Sequence, residues 1–442
     1  MLLFYTHTIT NRLRYTVEFF GRELFNEPIE ITTDASYYRA YEGPRLNYSD
    51  TDFSEEEFYV KPHDLLFQTG IRAQETDCFE LNFQKAFFPT KGDHPFDIFA
   101  AVFYLISRYE EYLPFEKDAY GRYPYTASLA YREDFLSEPL VNIWLEGFRK
   151  ALQRKFPSLL FRRQTFRCKI TYDIDMAYSY KHKGFWRNGF GFMRSLLKAD
   201  IAGIRERWQV LAGKRKDPFD CFEWLDALHL YCRLQPYYFF LVAGKRGKYD
   251  KNISTDVAAF RELIEYYSKN YKTGIHPSWQ SGDEPRLLRE EVEWMEVVTE
   301  EPVRRSRQHY IRMTLPDTYR HLIDAGIRQE YSMGYGSING FRASVATSYL
   351  WYDLGREQST DLWVYPFCFM DANALYEQRQ APSQTYQELM GYYSRVKRYN
   401  GLFVSIWHNT ILGTGKEFEG WAAMFELFMR ENVYWDAYRD EA

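Results

Sequence analysis

From about residue 165 to the C-terminus, short apolar runs alternate with longer amphipathic stretches, and this rhythm limits the possible folds most. The runs lie at 168–172, 237–242, 274–275, 303–311, 327–331, 362–369 and 402–407. Helical spacing is found at 221–234, 255–268, 284–298, 315–325 and 384–399. Strands that alternate with helices build βαβ units and a parallel sheet. About seven such strands could close into a barrel, so the expectation is an α/β fold.

The chain before this point reads differently. Strand-like segments at 2–6, 15–20 and 29–33 are separated by turn chemistry at Gly43-Pro44 and Asn47-Tyr48-Ser49-Asp50. A helix starting at Asp93 or Pro95 carries Phe96, Phe99, Phe103, Ile106 and Tyr109 at helical spacing, and a second helix covers 140–156 and stops at Pro157. The expected organisation is an N-terminal α+β domain over 1–160 and a barrel domain over 161–442.

Charge and composition exclude several classes. The net charge is -5, so no basic footprint for nucleic acid is present. The one basic stretch, 181–216, reads as a solvated helical face. No apolar run is long enough to span a bilayer. Arg12, Arg14 and Glu18 interrupt the N-terminal stretch, so a signal peptide is not expected there. Five scattered cysteines (Cys78, Cys168, Cys221, Cys232 and Cys368) make neither a disulfide framework nor a zinc knuckle, and a cytoplasmic location is expected. Aromatics make up 19% of residues, mostly as core, with room for flat platforms under sugar rings.

Reactive side chains collect at the ends of the apolar runs. Asp173 and Asp175 follow the first run and His276 the third. Arg307 and His309 lie in the fourth, Asp371 follows the sixth, and His408 ends the seventh. Catalytic groups of parallel barrels gather at the C-terminal strand ends, so these side chains would converge on one mouth. Taken singly, either acid could cap a helix and either histidine could sit in a buried hydrogen-bond network. Together they suit a metal site or acid–base chemistry.

Three of these segments resemble a known family. Thr171-Tyr172-Asp173-Ile174-Asp175, Gly274-Ile275-His276-Pro277-Ser278 and Phe403-Val404-Ser405-Ile406-Trp407-His408 are similar, in order, to motifs of the NodB-like polysaccharide deacetylases (carbohydrate esterase family 4). Ser306-Arg307-Gln308-His309-Tyr310 and Gly340-Phe341-Arg342-Ala343 look like divergent forms of that family's arginine motif. Residues 96–113 resemble an N-terminal domain of unknown function attached to one bacterial subgroup. The resemblance implies an α/β fold with an irregular (β/α)7 barrel, and a divalent metal, most often zinc, that serves in removing an acetyl group from an N- or O-acetylated sugar or polysaccharide precursor. Carried over, Asp173 is the general base and His408 the general acid, with Arg307 and Arg342 as further catalytic candidates. Asp175 and His276 hold the metal. Trp279, Trp407, Tyr335 and Asp371 are expected to face the substrate.

One position departs from the family pattern. Gln280 stands where the second motif carries another histidine, and His309 on the next strand is the candidate third ligand. Two alternatives follow from an incomplete site. One is an inactive carbohydrate-binding or scaffold protein that retains the barrel; the other is a C–N hydrolase acting on a small molecule.

Overall fold

The computed structural model describes residues 1–244 and 247–433. The N-terminal part holds a four-stranded parallel sheet of β1 (Leu3–Tyr5), β2 (Glu30–Thr32), β3 (Arg45–Asn47) and β4 (Phe58–Tyr59), in the order β2-β1-β3-β4. A small hairpin of β5 (Phe79–Leu81) and β6 (Gln84–Ala86) lies apart from it. Helices Asn11–Leu24, Ile98–Ile106 and Leu140–Lys155 pack around the sheet. Residues 15–20, expected as a strand, lie inside the first of these. Thr10 caps that helix by accepting the Leu13 N–H, and Leu13, Val17, Phe20 and Leu24 form one buried stripe at helical spacing. The alternation of polar and apolar residues over so short a window fits either period.

The second part is a mixed α/β layer built on nine strands: β7 (Arg167–Ile174), β8 (Tyr237–Val242), β9 (Lys272–Pro277), β10 (Arg305–Ser306), β11 (Gln329–Glu330), β12 (Tyr349–Asp353), β13 (Gln358–Val364), β14 (Phe369–Met370) and β15 (Leu402–His408). Their order is β12-β13-β11-β10-β9-β8-β7-β15-β14, parallel throughout except for β12 against β13. Gly274 lies where β9 passes closest to its neighbours; a Cβ there would stand 2.6 Å from the Phe239 ring and 2.8 Å from Arg305. The expected closed barrel is corrected in one respect: the ladder is open at β12 and β14. Residues 358–370 bridge the gap instead. They pair with β11 first, continue through Tyr365 N–H to Glu330 O (2.8 Å) and Phe367 N–H to Met333 O (3.1 Å), and then pair with β15. Strand β12 is the one element of this sheet that has no counterpart among the apolar runs.

A single hydrophobic core contains residues of both parts, among them Phe99, Phe103, Tyr352 and Trp407. Polar ties also cross between them. Arg12 pairs with Glu357, Tyr15 OH donates to Leu350 O at 2.7 Å, and Arg342 grips Glu111. The basic stretch 181–216 forms two helices, Gly184–Leu197 and Ile201–Leu211. Its cations Arg194, Lys198 and Arg205 are exposed on a solvated helical face, as expected, but Trp186, Phe190 and Leu197 stand in solvent there too. Among the described residues no helix is long and apolar enough to cross a membrane.

Candidate metal centre

Strand β7 delivers Thr171, Asp173 and Asp175 on one side of the sheet by alternation. Strand β9 ends at His276-Pro277, and the turn after β10 carries His309. One ligand atom from each of Asp175, His276 and His309 lies within 4.8 Å of the others. His276 Nε2 is 3.2 Å from Asp175 Oδ1, and His309 Nε2 is 3.7 Å from Asp175 Oδ2. Both rings are anchored through the opposite nitrogen. His276 Nδ1 is bonded to Arg307 O at 2.5 Å and His309 Nδ1 to Asp250 Oδ1 at 3.0 Å. This second tier fixes the tautomer and turns each Nε2 lone pair inward, as metal-ligating histidines require. Asp175 Oδ1 is buried and accepts no hydrogen bond, so a carboxylate oxygen is left over at the focus of the cluster. Two nitrogens, one carboxylate and the open cavity fit a divalent ion of the zinc type with a free coordination position.

Two further groups flank the cluster. Asp173 accepts Arg307 Nη1 at 3.1 Å, and its other oxygen is 3.8 Å from His276 Nε2. Arg307 is fully buried and tied also to Thr171 Oγ1 (2.8 Å) and Tyr331 O (3.1 Å). His408, at the end of β15, lies beside Asp173 in register and puts Nε2 3.8 Å from Asp175 Oδ2. Behind it, Asp371 accepts both the His408 ring N–H (2.6 Å) and its backbone N–H (2.8 Å).

Electrostatics follow the pairing. Burial alone would favour neutral side chains. At Asp175 that effect is outweighed by His309 and His276, which hold the carboxyl well below its usual range. At His309 burial pulls the pKa down, but Asp175 and Asp250 lift it to about 9. At His408 the same contest is won by Asp371, and the ring rises to about 10.

These groups open into a cavity of about 420 Å³, within the size range of small-molecule sites. Tyr249, Tyr310 and Tyr376 form part of its wall, and so do Tyr120 and Arg122 from the N-terminal part. Tyr120 stacks on Tyr310 at 5.5 Å and 24°, and Arg122 donates to Tyr310 O at 2.8 Å. Tyr310 and Ile311 both have left-handed backbone, φ 58° and 54°, immediately after His309. That conformation is costly for residues with a Cβ and is held by its surroundings.

Several expected site residues are placed elsewhere. Arg342 is buried in a bidentate pair with Glu111 (2.6 and 2.8 Å), away from the cavity wall. Tyr335 is buried against that same arginine. Trp407 points to the face opposite His408, as its neighbour in a strand must, and packs on Phe425 and Phe369. Trp279 stacks on the outer side of Tyr249 at 4.0 Å, so it supports the wall without lining it. Asp371 holds His408 and does not line the cavity. Asp250, Tyr120, Arg122, Tyr310 and Tyr376 were not anticipated. Asp250 follows β8, and the strand-end rule applied to that strand would have found it; Tyr120 and Arg122 carry no local signal.

Residues 2–157 match the model of a family of unknown function, DUF7033. No curated protein matches the sequence. Among solved structures the chain is similar to a candidate polysaccharide deacetylase of Mycobacterium smegmatis, with 13% identity and a TM-score of 0.39 over 61% of this chain and 84% of that one. It is also similar to a polysaccharide deacetylase of Bacillus cereus, with 9% identity and a TM-score of 0.30 over 61% of this chain and 88% of that one.

Proposed function

We propose that the chain is a metal-dependent hydrolase that removes an acetyl group from an N- or O-acetylated sugar or polysaccharide precursor. The observation that carries this reading is the Asp175–His276–His309 cluster flanked by Asp173 on one side and His408 on the other. Asp175, His276 and His309 would hold the ion. A divalent metal there would polarise the acetyl carbonyl and lower the pKa of water to about 7. Asp173, oriented by Arg307, takes the proton of the attacking water. His408, protonated through its pairing with Asp371, gives a proton to the departing amine or alcohol. Arg307 acts through Asp173.

In this reading the chain works as two units, 1–160 and 161–442, of which residues 434–442 lie outside the described part. The first unit adds Tyr120 and Arg122 to the pocket of the second. The test is acetate release from N-acetylglucosamine oligomers by the metal-loaded chain. Asp173→Asn should lower kcat by about a hundredfold or more while metal content stays at that of the parent. Undiminished turnover in Asp173→Asn would overturn the assignment of the base, and absence of bound divalent metal would overturn the reading as a whole.

A further inference from the structure

Residues 181–216 carry ten Lys and Arg against two acids, in a chain of net charge -5. The two helices formed there do not bury their apolar residues. In the first, Trp186, Phe190, Met193 and Leu197 recur on one helical face and are 76, 68, 62 and 85% exposed. In the second, Ile201 and Trp208 are 77 and 52% exposed. Only Asn188 and Val210 are buried across both helices.

The hairpin is fastened to the body by polar contacts. Asp217 accepts the backbone N–H groups of Ser179, Tyr180 and Lys181 at 2.7–2.9 Å. Arg187 donates to the carbonyls of Lys251 (2.9 Å) and Asn252 (3.3 Å). The apolar stripe is therefore not spent on folding. A stripe of this size on a water-facing surface marks something that covers it.

The surrounding charge selects the cover. Arg194, Lys198, Arg205, Lys214 and Lys216 are all exposed alongside the stripe. A second copy would bring the same cations face to face. A nucleic acid would satisfy them but leave Phe190, Met193 and Leu197 in water. A bilayer with anionic headgroups answers both demands, with acyl chains for the stripe and phosphates for the cations. We propose that the helical hairpin docks the chain on an anionic lipid surface, lying in the headgroup layer and not crossing it. The hairpin departs from the end of β7 that carries Asp173 and Asp175, and Lys251, whose carbonyl Arg187 holds, lines the cavity. Docking would bring the mouth of the site to the membrane. The inference does not depend on what the centre catalyses.

The test is co-sedimentation of the full chain with phosphatidylcholine vesicles, with and without phosphatidylglycerol. The chain should sediment with the anionic vesicles and be released by salt. Trp186→Ser combined with Phe190→Ser should abolish sedimentation, and since both side chains stand in solvent the fold should be unchanged by circular dichroism. Arg194→Glu and Lys198→Glu should each weaken binding by about fivefold or more. Sedimentation that is absent, or that is indifferent to these substitutions, would overturn the proposal. So would a dimer in the absence of lipid that the double serine variant dissociates, which would give the stripe to a second copy.

Discussion

Asp371 accepts two hydrogen bonds from one residue, the ring N–H and the backbone N–H of His408. The carboxylate fixes the position of the ring and also its charge. With its pKa lifted to about 10, His408 stays protonated across neutral pH. Activity that needs its proton should hold through neutrality and fall as pH rises through about 10. The stabilisation from this pairing is complete below the ring's ordinary value of about 6.5 and is lost as pH rises through about 10. Asp371→Asn removes the lift, so the alkaline limb of the kcat profile should move down toward about 6.5. An alkaline limb left in place would show that another group supplies the proton.

His309 must be neutral to bind a metal, yet in the metal-free chain Asp175 and Asp250 hold its pKa at about 9. Metal uptake near neutral pH should therefore release a proton, and affinity should rise with pH up to about 9. Calorimetry in buffers of different ionisation enthalpy counts the proton directly. His309→Ala should lose the ion as fully as His276→Ala, and Asp250→Ala, which frees the far side of the His309 ring, should weaken binding about 10–100-fold.

Arg122 reaches from the N-terminal part to the carbonyl of Tyr310, in the left-handed turn that presents His309. Arg122→Ala removes a charged hydrogen bond from a costly conformation, so cobalt(II) affinity should fall about tenfold or more. Hydrogen exchange should quicken at the Ile311 and Arg312 amides, which are bonded across the turn to Gln308 O and His309 O. Arg122→Lys should recover part of both effects. An affinity equal to that of the parent would show that the turn holds itself.

Arg342 and Glu111 test stability and not catalysis. Both are buried, and Glu111 also accepts Arg108 Nε at 2.7 Å, so Arg342 removed leaves the carboxylate one guanidinium while Glu111 removed leaves Arg342 without its carboxylate. Glu111→Ala should cost about 3–5 kcal/mol in denaturant unfolding. Its metal content, measured on the fraction that remains folded, should match that of the parent.

Much of the second part was legible because a period of two over a buried strand differs plainly from a period of 3.6 on a helix. The seven apolar runs each coincide with a strand or with the β13–β14 pair, and the acids and histidines after them fall at one end of the sheet. Trp407 and His408 both read as pocket residues, although strand alternation sends neighbours to opposite faces. Arg342 reads as a catalytic candidate for another reason. Its partner Glu111 is 231 residues away in the chain, and no local spacing tells a buried ion pair from a catalytic arginine. Tyr120 and Arg122 reach the cavity by a crossing of the two parts that only tertiary packing decides.

Strand β15 lies between β7 and β14, with His408 in register beside Asp173. Thr171 and Ser405, bonded across this pair, are 234 residues apart in sequence. A ribosome adding about 5–20 residues per second separates their synthesis by on the order of 10–50 s. During that interval β7 has an open edge, and an open edge invites pairing with other chains. The nascent protein thus carries Asp173, Asp175, His276 and His309 well before His408, and the proposed site is complete only with the last of the described strands.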